Sequence, residues 1–149
     1  MQNLNQFDQS AERGQIALHN GESVVISAMI APTYQGTLRS GDGITITAES
    51  RGLPKIVPTG SVSSKAAGFI LFNPVKNVFK AGDRCEIMLT GGYMYMVASD
   101  TVDALTPVQY DPETGQIAYA VAESNKVGVS LDCAINPGDL IRVKIAGSL

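Results

Sequence analysis

Histidine, tryptophan and clustered charge are what this sequence has least of, and each shortage removes a class of function. His19 is the only histidine, Trp is absent, and Cys85 and Cys133 are the only cysteines. One histidine beside a turn at Asn20-Gly21, with two cysteines far apart, offers neither a nucleophile–base pair nor a closed zinc site. Two reduced thiols packed as small hydrophobes are the expected state of the cysteines. Charged residues make up 17% of the chain, the net charge is -3 and the eleven basic residues are scattered singly, so nucleic acid is not expected as a partner. No apolar run approaches the roughly eighteen residues that span a bilayer. The polar start, MQNLNQFDQS, lacks the apolar region of a signal peptide. No membrane contact is expected, and synthesis in a cytoplasm is.

Phosphate-binding chemistry is missing as well. Gly41-Asp42-Gly43 and Gly91-Gly92 lack the context of a phosphate loop or a dinucleotide fingerprint, and no DxDxDG run prepares a calcium loop. Carbohydrate sites favour aromatic platforms, which a chain without Trp and with 6% aromatics supplies poorly. The expectation is a protein without enzymatic activity, cofactor or metal.

What the chain has is turn-forming residues and short apolar stretches. Fifteen Gly and seven Pro interrupt any long helical period, while 44% apolar content suffices to fill a core. Residues 1–20 read as a polar N-terminal arm or leader. From Gly21 to Leu149 the texture is β, with about ten short strands near 23–30, 44–49, 55–58, 68–72, 84–90, 93–98, 108–110, 116–121, 127–131 and 140–146. That density fits an all-β fold, a compact sandwich or barrel of jelly-roll type. Two hairpins are expected. One turns at Gly91-Gly92 between EIMLT and YMYMVA, and the other turns within DPETG before QIAY.

A small device recurs ahead of strands: glycine followed by an acid. It appears at Gly21 with Glu22, Gly41 with Asp42, Gly82 with Asp83, and Gly138 with Asp139. Glycine supplies the positive φ of a tight turn, and the carboxylate accepts a nearby backbone N–H. The last two copies share a longer order, GFILFN leading to AGDRCEIML as VGVSLD leads to PGDLIRVKI. Duplication and convergent turn chemistry both account for it.

In Tyr93-Met94-Tyr95-Met96 the strand period puts the tyrosines on one face and the methionines on the other. Methionines in the core would leave Tyr93 and Tyr95 outside as candidate interface residues, unless packed layers cover both faces. Phe7, in the leader, is a third candidate anchor.

The stretch GFILFNPVKNVFKAGDRCEIML, then GGYMYM, then VGVSLDCAINPGDLIRVKI, resembles the structural cement proteins that decorate tailed-phage heads. The carrying positions include Gly68, Phe69, Asn73, Pro74, Phe79, Gly82, Asp83, Met94, Met96, Gly128, Asp132, Gly138, Asp139 and Arg142. The resemblance implies a virion protein on the capsid outer surface. Its partners would be the major capsid protein and further copies of itself, a trimer before a dimer. No catalytic residue comes with it. A glycan-binding or adhesion module of a phage or bacterial surface structure is the alternative.

Overall fold

A computed structural model describes residues 11–18, 22–47 and 52–146. Twelve strands carry the fold: β1 (Ile16–Leu18), β2 (Val24–Ile30), β3 (Leu38–Arg39), β4 (Gly43–Ile46), β5 (Lys55–Pro58), β6 (Gly68–Ile70), β7 (Val78–Phe79), β8 (Arg84–Val97), β9 (Pro107–Asp111), β10 (Gln116–Tyr119), β11 (Lys126–Ser130) and β12 (Leu140–Ala146). One 3-10 turn, Glu123–Asn125, is the only helical element among the described residues. The all-β expectation holds, and strand order resolves which form it takes.

Ten of the strands form one sheet that bends back on itself twice. Its first half runs β8–β2–β5–β4–β6 and returns to β8 through Phe69↔Met88 and Ile70↔Ile87, closing a five-stranded ring. Its second half runs β8–β12–β11–β9–β10, where the bridge Ala98↔Ile117 brings β10 back to the end of β8. The fourteen-residue β8 is therefore shared by both rings. Among the described residues, closure leaves no long open sheet edge in either ring, which removes the usual template for edge-to-edge aggregation.

Each ring holds its own core. Ala28, Ile30, Ile44, Ile56, Ile70, Phe79, Cys85, Ile87 and Leu89 fill the first. Met94, Met96, Ala98, Val108, Tyr110, Ile117, Val127, Ile141, Val143 and Ile145 fill the second, together with Phe69, Met88 and Ala66 from the first ring's wall. The contact between rings depends on a missing side chain: a Cβ on Gly43 would lie 2.6 Å from the Tyr110 ring. Tyr110 instead lies edge-on to Phe69, with centroids 5.2 Å apart.

The hairpin expected at Gly91-Gly92 does not form. The chain runs straight through these residues, and they make a bulge in β8. Opposite them, Lys144 faces Tyr93 and Ala146 faces Thr90, so one strand spends an extra residue where the other does not. Before the bulge β8 is buried on both faces, with Cys85, Ile87 and Leu89 in the first core and Met88 in the second; after it Met94, Met96 and Ala98 face the second core. Gly91 sits at φ +89°, and a Cβ there would come within 2.0 Å of the Glu22 carbonyl oxygen. A Gly-Gly pair between alternating strands satisfies a hairpin and a crowded bulge equally well, which is why periodicity alone misplaces it. The second hairpin forms: β9 and β10 pair from Gln116↔Asp111 to Tyr119↔Val108, with Gly115 at φ +72°.

Candidate functional site

Three of the glycine-acid turns fall within the described residues and share one geometry. In each, the aspartate exchanges two bonds with the residue three positions earlier. Asp42 Oδ2 accepts from the Arg39 N–H at 2.7 Å, Asp83 Oδ2 from the Lys80 N–H at 2.8 Å, and Asp139 Oδ2 from the Asn136 N–H at 3.0 Å. The aspartate N–H donates back to the carbonyl of the same residue each time. Gly41, Gly82 and Gly138 have φ of +88°, +84° and +93°. These residues shape strand entry and do not gather into a ligand site. The backbone bond from Lys80, with the Lys76 ammonium 2.9 Å away, holds the Asp83 carboxyl below its ordinary range. Gly21 lies outside the described residues.

Of the candidate anchors, Phe7 also lies outside the described residues, as does His19. Tyr93 and Tyr95 are half-buried on the outer side of β8, while Met94 and Met96 are fully buried. Their cross-strand partners on β12 are Lys144 and Arg142. Next to Tyr95, a groove of about 430 Å³ is lined by Asp132, Cys133, Asp139, Leu140, Ile141 and Arg142. The Arg142 guanidinium spans it with a bidentate pair, Nε to Asp132 Oδ2 at 2.8 Å and Nη2 to Asp132 Oδ1 at 2.6 Å. Arg142's hydrogen bonds pull the Asp132 carboxyl below its usual range against a smaller opposing effect of burial.

The cysteines part company. Both are free thiols, but only Cys85 is packed as a small hydrophobe; Cys133 is exposed at the groove. That corrects the expectation that both are packed, and the reason is local: Cys133 sits in a loop between strands and Cys85 in an inward position of β8. Burial pushes the Cys85 thiol up to about 12. Among the described residues no group of three or more His, Cys, Asp or Glu could hold a metal ion. No helix among them is long and apolar enough to cross a membrane.

Two features escape a reading by periodicity. Arg13, assigned to the leader, ties the rings together. Its guanidinium donates to the Ser40 carbonyl at 2.7 Å, to Asp42 Oδ1 at 2.8 Å and to the Gly115 carbonyl at 2.8 Å, so one side chain holds a turn of the first ring to the hairpin of the second. Gly14 beside it bonds to Tyr95 and Phe72 through its own backbone. The second feature is the far end of the second ring, away from Arg13. There β8, β10 and β11 finish and β9 and β12 begin, and Leu105, Tyr119 and Ile135 stand 72%, 58% and 71% exposed. Leu105 and Ile135 are isolated apolar residues in loops and Tyr119 ends β10, so only their exposure reveals them.

No family model matches the sequence, and no curated protein matches it. Among solved structures, the N base of the head fiber gp8.5 of bacteriophage phi29 is similar, with a TM-score of 0.57 and 11% identity over 85% of this chain and 98% of that one. At that identity the likeness shows a shared fold, and the fold extends across nearly the whole of that base domain.

Proposed function

We propose that this chain is a non-enzymatic decoration protein that binds the outer surface of an assembled phage head and stabilises contacts between major capsid subunits. The observation that carries the reading is the fold shared with a phage head fiber base along almost that domain's full length. The resemblance to cement proteins supports the same placement. The closed rings suit such a role, because a scaffold with short loops and paired edges loses little freedom on docking. A protein that binds only the intact subunit junction stabilises the shell by linkage. Modest affinity per copy suffices when an oligomer engages several subunits at once.

Self-association as a trimer belongs to this proposal, with the flank bearing Tyr93 and Tyr95 as the contact between copies. Half-buried tyrosines on the outer face of a strand are amphipathic and lose little rotamer freedom when covered. The test is to add the purified chain to heads that lack it. Co-sedimentation and a raised rupture temperature are expected, and absence of binding would sink the proposal. Trimer mass by light scattering, lost on replacing both tyrosines by Ser, checks the oligomer.

A further inference from the structure

The far end of the second ring combines exposed apolar side chains, a one-signed charge environment and a pinned backbone. Resting on the head-surface reading above, we propose that it is the end that docks, and that its partner is a protein surface with an apolar pocket rimmed by Lys and Arg. From Cys85 to Ile141 the chain carries eight acidic residues and a single base, Lys126. Asp100, Asp103, Asp132 and Asp139 fall in the loops at this end. Lys126 lies 3.8 Å from Glu123, and Arg142 is engaged by Asp132, so neither leaves a basic area there.

Leu105 and Ile135 are held out on hydrogen-bonded loops, and Tyr119 at the end of β10. Leu105 occupies the left-handed region at φ +60°, which disfavours a leucine, and its N–H donates to the Ser130 carbonyl at 2.8 Å. Buried Ser130 Oγ donates to the Asp103 carbonyl at 2.7 Å, and Thr106 Oγ1 donates to the same carbonyl at 2.7 Å. Val102 and Ala134 bridge the loop that carries Leu105 to the loop that carries Ile135. Tyr119 lines a shallow pocket with Thr101, Val102, Asp103 and Thr106. Backbone strain kept in place by that many bonds, in order to present a leucine to solvent, is an arrangement that binding would use.

Charge complementarity selects the occupant. A second copy meeting this end with the same end would set Asp100 and Asp103 against themselves, whereas a basic rim would neutralise them and speed encounter. Replacing Leu105 by Gly removes the side chain at a backbone angle glycine prefers, so the fold survives. Co-sedimentation with heads lacking the chain is then measured for wild type, Leu105→Gly and Asp103→Lys. Leu105→Gly is expected to weaken binding by at least about tenfold, as removal of a central apolar anchor does. Asp103→Lys should slow association and flatten its dependence on salt. Both variants should keep the wild-type oligomer. Wild-type binding by both would overturn the inference while leaving the head-surface reading intact. Loss of the oligomer in Leu105→Gly would assign this end to a second copy and overturn it too. Unmutated chain that fails to bind heads would sink both readings together.

Discussion

Single residues in this chain separate effects that are usually entangled. Gly82 and Gly91 have nearly the same backbone angle, φ +84° and +89°, yet nothing lies within 4 Å of a Cβ at Gly82 while the Glu22 carbonyl oxygen lies 2.0 Å from one at Gly91. Gly82→Ala therefore costs only the left-handed conformation, about 1 kcal/mol. Gly91→Ala adds a backbone collision and should cost about 3 kcal/mol or more. Urea unfolding of the two variants gives the difference directly, and equal losses would show that the bulge relaxes. Thr59 offers the opposite sign. Its Oγ1 is buried with no hydrogen-bond partner among the described residues. Thr59→Val should stabilise the chain by about 1 kcal/mol, since an unpaired buried hydroxyl is removed at constant shape. Thiol labelling provides a third check at this scale. In the native protein at pH 8 one thiol, Cys133, should react promptly, and Cys85 only on unfolding, because its thiolate is disfavoured by burial.

At the scale of elements, the sequence is most legible where local chemistry and tertiary position ask for the same residue. Lys55–Pro58 is a strand with the bounds its pattern indicates, and the glycine-aspartate turns close as their chemistry requires. Tyr93 and Tyr95 take the outer side of β8 because Met94 and Met96 take the inner, a consequence of period two. Legibility fails where a residue's role is set by something distant in sequence. Gly91 is required because the Glu22 carbonyl passes close by, and Arg13 is a clasp because Ser40, Asp42 and Gly115 are brought to it. Neither partner set has a local signature. The pair of Asp132 on the loop before β12 with Arg142 on that strand makes a pH prediction. A carboxyl lowered in the folded state contributes stability above the pKa of a free aspartate, near about 4, and that contribution is lost as pH falls through the folded value. Asp83 acts in the same direction. Wild type should lose stability below about pH 4, and Asp132→Asn should show a shallower loss over that range in pH-dependent thermal melts. An unchanged acid limb would mean that Arg142 is equally well served by solvent.

For the molecule as a whole, the question is whether two rings unfold as one body. They share β8, so neither closes without it, and Phe69 and Met88 belong to the first ring's strands while packing in the second ring's core. Arg13 adds a polar tie between the rings, with side chains about one-fifth exposed on both sides of its ion pair to Asp42. Unfolding one ring alone would therefore expose the seam around Phe69, Tyr110 and Gly43 as well as that ring's own core. A partly unfolded state is penalised by more than a ring's share of the total, which predicts a single calorimetric transition with matching van't Hoff enthalpy. Arg13→Ala should lower stability by about 2 kcal/mol through loss of charge-assisted bonds. Phe69→Ala should cost about 3–5 kcal/mol through the cavity it leaves at the seam. Weakening the clasp alone should keep one transition, because the shared strand and seam still couple the rings. If Phe69→Ala splits the melt into two steps, the seam and not β8 is what makes the rings cooperate, and the first-ring core, which Phe69 does not enter, should melt at a temperature close to that of the wild type.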